Sequence, residues 1–234
     1  MKKFKQAPKR FQPKGLTILY EDHYIVVVDK RSGLLSISTD REKEKTAHYL
    51  LNEYVKKGNQ KSNNRVYIVH RLDRDTSGVL LFAKTEVAKQ YLQDEWEHFE
   101  KKYYAVVHGV FDEKEGLITS YLAENSIHRM YSVTNPEKGK FSKTGYKVIR
   151  ESSKYSLLQV DLLTGRKNQI RVHFSEKGHP VAGDKTYGDK ENDRDIKRLT
   201  LHAAYMTINH PFTKEKMLFE SPVPAYFKSL VNGK

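Results

Sequence analysis

The amino-acid sequence predicts an α+β fold, with one domain built on a mixed, largely antiparallel β-sheet and flanking helices. Three observations predict it. Strand-like apolar runs outnumber helical patterns, several of these runs lie close enough along the chain to pair as hairpins, and neither an internal repeat nor a second composition regime divides the 234 residues. A chain of this length can bury a stable core without disulfides or metals.

The first half of the chain supplies two pairs of strands and two helices. Strand-like runs cover residues 16–20 and 24–29, and a second pair covers residues 67–69 and 79–82. Thr46 is expected to cap a helix over residues 46–57, and Thr85 a second helix that follows it. The residues that share the inward faces are Ala47, Leu50, Leu51 and Tyr54 in the first helix and Ala88, Tyr91, Leu92 and Phe99 in the second.

The second half of the chain continues the sheet. Strands are predicted over residues 101–107, 145–150 and 155–162, and the runs 206–208 and 217–219 close the sheet. A short helix between them starts at Asn168 and ends at Gly178. Residues 1–15 contain six lysines or arginines and no acid, so we expect a mobile basic arm before a folded domain over residues 16–234.

Composition limits the classes of function. The formal net charge is +13, which favours a polyanionic partner and above all a nucleic acid. The absence of cysteine excludes disulfides and thiolate catalysis and suits a reducing cytoplasm. The longest apolar runs, residues 25–28 and 79–83, are far shorter than the roughly 20 residues of a membrane helix, so no membrane association is expected.

The segment from Val69 to Phe82, VHRLDRDTSGVLLF, contains the strongest candidate site. A polar run between two buried strands is costly unless its groups are paired, and such runs often present chemistry to a ligand. Asp73 lies two residues from Arg71, which indicates a carboxylate kept ionised beside guanidinium groups. The alternative is an ordinary hairpin with a surface ion pair.

Two further features add candidate residues. Helix geometry in the region 163–188 puts Ile170 and Phe174 on a core face and Arg171 on another, from which it could reach Asp73. The alternative is that Arg166 and Arg171 are both solvated. Tyr103 shares a strand face with core residues, so it is either core or one wall of a cleft that contains Asp73.

The order of the motifs resembles that of the RluA-type pseudouridine synthases. The matching segments are His70–Asp73 with Thr76–Gly78, Lys101–Gly109, Gly165–His173, Gly178–Gly188 and Leu199–Ala203. They are followed by His210–Pro211 and by Phe219–Pro222. The resemblance extends from about Leu16 to the C-terminus, and it suggests a compact member without an S4-type RNA-binding module.

The resemblance implies a pseudouridine synthase fold and an isomerase that converts uridines of ribosomal RNA, tRNA or both to pseudouridine. It implies no cofactor and no metal, because the reaction rearranges atoms that the substrate already holds. The partner would be RNA, with neither DNA nor membrane, and the enzyme a cytoplasmic monomer. Loops over residues 56–65 and 127–147, with the N-terminal arm, would contact the RNA backbone.

The resemblance also assigns roles to single residues. Asp73 corresponds to the catalytic carboxylate, either as a nucleophile on the ribose or as the base for a glycal intermediate. Arg171 corresponds to its cationic partner and Tyr103 to the ring that stacks on the uracil. Arg71 corresponds to the side chain that fills the space of the flipped nucleotide. The residues expected to join it in RNA binding are His70, Thr76, Arg166 and Leu201.

Two positions depart from the family pattern. Asn168 stands where histidine is common, and Arg31 stands where a proline often follows the lysine of the first motif. Asparagine is a good helix N-cap, so we expect the first change to affect the start of the helix rather than catalysis. Two other functions stay open at this point: an RNA-binding protein on the same scaffold without turnover, and a general nucleic-acid-binding domain.

Overall fold

The computed structural model describes residues 8, 12–40, 42–189 and 191–232. Most of the predicted N-terminal arm therefore lies outside the described residues. The part that is described is hydrogen-bonded to the first strand: the Gln12 side chain accepts from the N–H of Ile18 at 2.8 Å, and Pro13 accepts from the N–H of Leu16 at 3.0 Å.

The described residues form strands and helices in an α+β order. The strands are β1 (Leu16–Glu21), β2 (Ile25–Lys30), β3 (Tyr67–Ile68), β4 (Ser77–Ala83), β5 (Glu100–His108), β6 (Glu115–Glu124), β7 (Met130–Val133), β8 (Lys140–Glu151), β9 (Tyr155–Leu162), β10 (Leu201–Asn209) and β11 (Lys216–Glu220). The helices are α1 (Ala47–Lys56), α2 (Glu86–Asp94), α3 (Gln169–Glu176) and α4 (Ala225–Asn232), with short 3-10 helices at Trp96–His98 and Pro136–Lys138. Within the described ranges, no helix is both long and apolar enough to span a bilayer.

The chain divides into two compact units. The first contains the residues up to Phe99 together with Tyr205–Ser221, and the second contains Glu100–Ala204 and the residues from Pro222 onward. The boundary falls inside β10, which therefore contributes residues to both units.

The first unit is held together by antiparallel strands packed on α2. Strand β2 pairs with β1 on one side and β4 on the other, β3 pairs with β4, and β11 pairs with the end of β10. All seven residues of β4 are buried. The core between strands and helix includes Val27, Leu81, Leu92, Phe99 and Phe219, and its burial stabilises the strand ends between which Asp73 lies.

The second unit is a five-stranded antiparallel arrangement in the order β5-β9-β8-β6-β7. Helix α3 packs on one face, where the rings of Phe174 and Tyr146 lie 5.8 Å apart. Helix α4 packs Phe227 against Val106 and Leu157 of β5 and β9. The α+β, largely antiparallel architecture predicted from the sequence is confirmed, and a parallel bridge joins Leu35 to Thr46.

Several local predictions are confirmed and others are wrong. Thr46 and Thr85 cap α1 and α2, accepting from the N–H groups of Tyr49 and Ala88 at 3.2 and 3.1 Å. The inward face of α1 is made by Ala47, Leu51 and Val55 rather than by Leu50 and Tyr54, which are only half-buried. Phe99 is buried but lies beyond the end of α2. Strands β6 and β7 and helix α4 were not predicted.

Candidate active site

Asp73 lies in an irregular segment that joins β3 to β4 in the first unit. Its side chain is half-buried, and the neighbouring Leu72 is 6% exposed. Arg71, Arg74 and Asp75 are exposed. The segment thus alternates residues that face solvent with residues that are packed into the unit, as expected where a scaffold presents polar groups to a ligand.

The backbone on both sides of Asp73 is fixed by the loop that follows β2. The Ser36 hydroxyl donates to the carbonyl of Leu72 at 2.7 Å and accepts from the N–H of the same residue at 3.0 Å. The carbonyl of Arg74 accepts from the N–H of Gly33 at 2.9 Å and from the ammonium of Lys30 at 3.0 Å. We call these four hydrogen bonds the backbone clamp. Because three of the four peptide groups involved lie within residues 72–74, the clamp limits where the Asp73 side chain can point.

Lys30 places a fully buried ammonium beneath this segment. It also donates to the carbonyls of Leu34 at 2.7 Å and Arg31 at 3.2 Å. Burial lowers the pKa of Lys30 to about 7, and the negative charges of Asp75 and Asp73 oppose that shift.

Two of the residues predicted to bind RNA in this unit are packed. The His70 Nε2 atom accepts from the N–H of Leu81 at 3.0 Å, and its ring stacks on Trp96 with centroids 4.3 Å apart. The tautomer with the proton on Nδ1 satisfies that bond. Thr76 is 2% exposed. The contacts of His70 and the burial of Thr76 indicate structural roles for both residues, and their contact with RNA stays a prediction.

Arg171 belongs to α3 in the second unit, where an aspartate orients its guanidinium. The Nε atom donates to Asp184 Oδ2 at 2.6 Å and Nη2 donates to Asp184 Oδ1 at 2.8 Å, a bidentate pair. The Nη1 atom donates to the Asn168 side chain at 3.0 Å. The guanidinium carbon lies 5.1 Å from the centre of the Tyr187 ring. Three of the five N–H donors are thus directed by residues of the second unit.

The carboxylate of Asp184 is the fixed end of this pair. Its side chain is fully buried and also accepts from the N–H groups of Thr186 and Tyr187 at 2.9 and 3.0 Å. Burial alone raises the pKa of Asp184, but the hydrogen bonds and charge of Arg171 and the two N–H groups outweigh burial, so the pKa lies below its usual range. Asp184 is therefore an ionised, buried anchor for Arg171.

The start of α3 differs from the prediction. Asn168 has a left-handed backbone, with φ of 54°, and its side chain does not cap the helix. Instead the Asn168 amide joins Arg171 to the hydroxyl of Tyr187, to which it donates at 3.3 Å. Asn168 therefore occupies the N-cap position, as expected, but it makes no side-chain capping bond, because its side chain holds the arginine.

Buried polar residues attach the rest of α3 to the sheet. The Gln169 carbonyl oxygen accepts from the N–H of Arg166 at 3.0 Å, and its amide donates to Thr144 Oγ1 at 2.9 Å. The ring of His173 lies between Thr144 and Ser120, 2.9 Å from each hydroxyl, and burial lowers its pKa to about 4. The Nε atom of Arg166 donates to a carbonyl at Phe141 over 3.1 Å. These bonds fix the loop before α3 as well as the helix.

Tyr103 and Leu201, the other predicted site residues of the second unit, lie in strands β5 and β10. Tyr103 is 8% exposed and pairs across the sheet with Val160, which itself pairs with Tyr146. Tyr103 therefore shares the α3 face of the second unit. Leu201 is 4% exposed. Neither position is a solvated surface residue.

The predicted residues thus fall into two groups. His70, Arg71, Asp73 and Thr76 belong to the first unit, and Tyr103, Arg166, Arg171 and Leu201 belong to the second. The residues that sequence reasoning missed are those that hold the predicted ones: Lys30, Ser36 and Asp184. Two of them had a signal, since Lys30 directly follows the strand predicted over residues 24–29 and Asp184 lies in the matching segment Gly178–Gly188. In the described ranges, no group of three or more histidine or carboxylate side chains is placed to hold a metal ion.

Known proteins share sequence with this chain over most of its length. Residues 23–176 match the family model described as RNA pseudouridylate synthase, a span that includes Asp73, Tyr103 and Arg171. An uncharacterized RNA pseudouridine synthase of Mycoplasma genitalium is 35% identical over 92% of this chain and 68% of its own length. The ribosomal large subunit pseudouridine synthase C of Vibrio cholerae is 34% identical over 90% of this chain and 67% of its own length.

A solved structure shares the fold. Human RNA pseudouridylate synthase domain containing 4 superposes with a TM-score of 0.75 at 22% identity, covering 90% of each chain. At that level of identity the likeness concerns the fold alone.

Proposed function

This chain belongs to the RNA pseudouridylate synthase family, and we propose that it isomerises uridines of ribosomal RNA, tRNA or both, with Asp73 as the catalytic carboxylate. Membership makes it an RNA-modifying isomerase. The observation that carries the residue assignment is the backbone clamp, which fixes the peptide groups around Asp73 while its side chain stays half-buried between the buried Leu72 and the exposed Arg74.

The reaction breaks the N1–C1′ bond of uridine and joins C5 to C1′, so every atom of the product comes from the substrate. Asp73 acts either as a nucleophile on the ribose or as the base that forms a glycal intermediate. Both routes need an ionised carboxylate. The buried ammonium of Lys30, which donates to the carbonyl of Arg74 at 3.0 Å, places a cation beneath the segment that carries this carboxylate.

Arg171, Tyr103 and Arg71 take the remaining roles in this proposal. Arg171 supplies positive charge to the reaction, and its bidentate bond to Asp184 limits how far that charge can move. Tyr103 stacks on the uracil ring, a role that suits a phenol better than that of a base near neutral pH. Arg71 is exposed, and its planar cation suits the space left by a flipped nucleotide.

The substrate follows from the relatives and from charge. The Vibrio cholerae relative is named for the large ribosomal subunit, and a net charge of +13 favours long polyanions. We propose RNA rather than DNA as the partner, a monomer as the active form and the cytoplasm as the compartment. A pseudouridine assay on a deoxyuridine oligonucleotide tests the choice of RNA over DNA. Light scattering on the purified protein tests whether the active form is a monomer.

The deciding experiment compares Asp73→Asn with Asp75→Asn. Both remove one carboxylate from the same segment, and Asp75 is the exposed neighbour. Pseudouridine is mapped in unmodified cellular RNA after incubation with each protein. We expect Asp73→Asn to lose at least about 1,000-fold in rate while Asp75→Asn keeps most activity. For Arg71→Ala, we expect the rate of pseudouridine formation to fall by a larger factor than the affinity for RNA, which is measured separately.

Two outcomes contradict the proposal at different points. If the wild-type protein forms no pseudouridine in any cellular RNA but binds RNA, the chain is a binding protein on this scaffold. If Asp73→Asn turns over like the wild type, the isomerase is correct and the assignment of its carboxylate is wrong.

A further inference from the structure

A groove of about 480 Å³ opens on the second unit beside the start of α3. Its walls come from the end of β6, the start of β7, the 3-10 helix Pro136–Lys138 with the residues that follow it, and the loop 165–167. We call it the lysine groove after Lys138, Lys140 and Lys167, which line it together with Arg166. The groove is thus lined by four cationic side chains and by two acidic ones, Glu124 and Glu137.

The cations of the groove are not equivalent. Lys167 donates to Glu124 at 2.5 Å and to the carbonyl of His128 at 3.1 Å, so it closes one wall and neutralises that acid. The Nε atom of Arg166 is directed by the carbonyl of Phe141. Lys138 and Lys140 are exposed, and among the ion pairs of the described residues neither takes part. Both ammonium groups are therefore open to solvent, and none of the described carboxylates is paired with either.

The backbone that bears these two lysines is ordered. Asn135 caps the preceding 3-10 helix by accepting from the N–H of Glu137 at 2.9 Å. A Cβ atom on Gly139 would lie 2.7 Å from a methyl of Val133 and 3.0 Å from the carbonyl carbon of Tyr121, so only glycine allows this close approach to β6 and β7. Lys138 and Lys140, on either side of Gly139, therefore project from an ordered part of the backbone.

The floor of the groove belongs to the structure that supports Arg171. Leu122 and Met130 line the groove and pack in one buried cluster with Val172 of α3 and with Tyr187. The N–H of Met130 donates to the hydroxyl of Tyr187 at 2.9 Å. A ligand in the groove would therefore lie on the same rigid part of the second unit that orients the arginine.

We propose that the lysine groove binds the phosphodiester backbone of the substrate RNA outside the modified nucleotide, with Lys138 and Lys140 as its phosphate contacts. The proposal rests on the function proposed above, because that function supplies the RNA. Phosphates recur along RNA at regular intervals, and solvated ammonium groups on a concave surface bind them by releasing counterions. An acidic protein segment would be an alternative occupant.

The test removes the two charges and measures RNA binding against salt. Lys138→Gln with Lys140→Gln is compared with Lys154→Gln and Lys228→Gln, two exposed lysines of the same unit that lie outside the groove. The probe is a short labelled oligouridylate. Each phosphate contact on single-stranded RNA contributes about 0.7 to the log–log salt slope, so the groove variant should lose about 1.4 of that slope and the control variant nothing.

The same loss predicts that the affinity gap between the wild type and the groove variant shrinks about sevenfold between about 50 and 200 mM salt. Lys138→Arg with Lys140→Arg should restore the slope. With ribosomal RNA as substrate, the glutamine variant should raise KM and leave kcat unchanged.

Two results would overturn the groove. One is an unchanged salt slope, which would leave an acidic protein as the remaining partner class. The other is an equal loss in the control pair, which would mean that the basic surface acts as a whole. These results do not depend on turnover, so a wild-type protein that forms no pseudouridine refutes the proposed function and leaves the groove to be judged by binding.

Discussion

In each of the two groups of candidate residues, a single buried side chain holds a candidate residue or its backbone in place. Ser36 is the clearest case. One hydroxyl satisfies both the N–H and the carbonyl of Leu72, at 3.0 and 2.7 Å, in a place where Ser36 itself is 3% exposed. Water has little access to replace it. The position of the residue that follows Leu72 therefore depends on one oxygen atom.

We predict that Ser36→Ala destabilises the protein and lowers turnover. Two buried backbone groups lose their partner, which should cost about 1–3 kcal/mol in the free energy of unfolding measured with urea. Because the clamp acts on the segment of Asp73, kcat should fall more than KM rises. Ser38→Ala is the matched control, since Ser38 is exposed in the same loop. Equal kinetics for the two variants would refute a positioning role for Ser36.

The second residue-scale prediction concerns Asp184→Asn. The side-chain oxygen of asparagine can still accept from the N–H groups of Thr186 and Tyr187. Its NH2 group then replaces the oxygen that accepts from Nε of Arg171, so two hydrogen-bond donors oppose each other. We expect the Arg171 guanidinium to reorient and kcat to fall at least about tenfold with little change in KM. Asp189→Asn is the control in the same loop, because the Asp189 carboxylate accepts hydrogen bonds from Glu191 and Asn192 and none of its hydrogen bonds to described residues involves Arg171. A variant with wild-type kcat would show that Asp184 does not position Arg171 for the reaction.

At the scale of elements, α3 is attached to the sheet by polar groups as well as by apolar packing. His173 is 1% exposed and lies between the hydroxyls of Thr144 in β8 and Ser120 in β6. Burial lowers its pKa from 6.5 to about 4. The helix that carries Arg171 is thus fixed by a neutral histidine, and protonation would place a buried charge between two strands.

This shift predicts how stability depends on pH. Between about pH 4 and 6.5 the unfolded chain binds a proton at His173 that the folded protein excludes. The contribution of this residue to the free energy of unfolding is therefore complete above pH 6.5 and is lost as the pH falls to about 4. The loss from this group is on the order of 2–3 kcal/mol. In urea unfolding at several pH values, His173→Gln should flatten the slope in this window. His98→Gln, at an exposed position, is the control for the substitution itself, and a His173→Gln protein with the wild-type slope would contradict the assignment.

Elements were predictable from the sequence where apolar residues alternate without interruption. The bounds of β9 were predicted correctly, because Tyr155–Leu162 is an apolar run with few breaks. Strand β6 was missed since only Ile118 and Leu122 of its ten residues are buried, which weakens the period-two signal. Strand β7 has four residues, too few for any periodicity.

The contacts that orient the candidate residues were less predictable than the residues themselves. The bond between Ser36 and Leu72 joins positions 36 residues apart, and that between Arg171 and Asp184 joins positions 13 apart. One sequence gives the residue types but not which pairs meet. Asn168 shows the same limit, because its type favours a helix cap whereas its surroundings use it to hold an arginine.

At the scale of the whole molecule, charge is the property that connects fold and substrate. The chain has 42 lysines and arginines against 29 acids. Several acids already have a lysine partner, as in the pairs Lys84–Glu21, Lys114–Glu151 and Lys167–Glu124. Pairing one lysine with one acid leaves the net charge of +13 unchanged, and a charge of that sign attracts RNA and raises the rate of encounter.

The excess charge predicts a steep salt dependence for the complete enzyme. If RNA binding uses at least about four phosphate contacts, kcat/KM on a ribosomal RNA fragment should fall with salt at a log–log slope steeper than about −3. The chemical step moves no ion to or from solvent, so kcat at saturating RNA should change less than about twofold over the same range. Urea unfolding at each salt concentration controls for stability. A nearly flat kcat/KM would mean that the basic surface serves solubility, and it would place recognition of the RNA in uncharged contacts around the modified base.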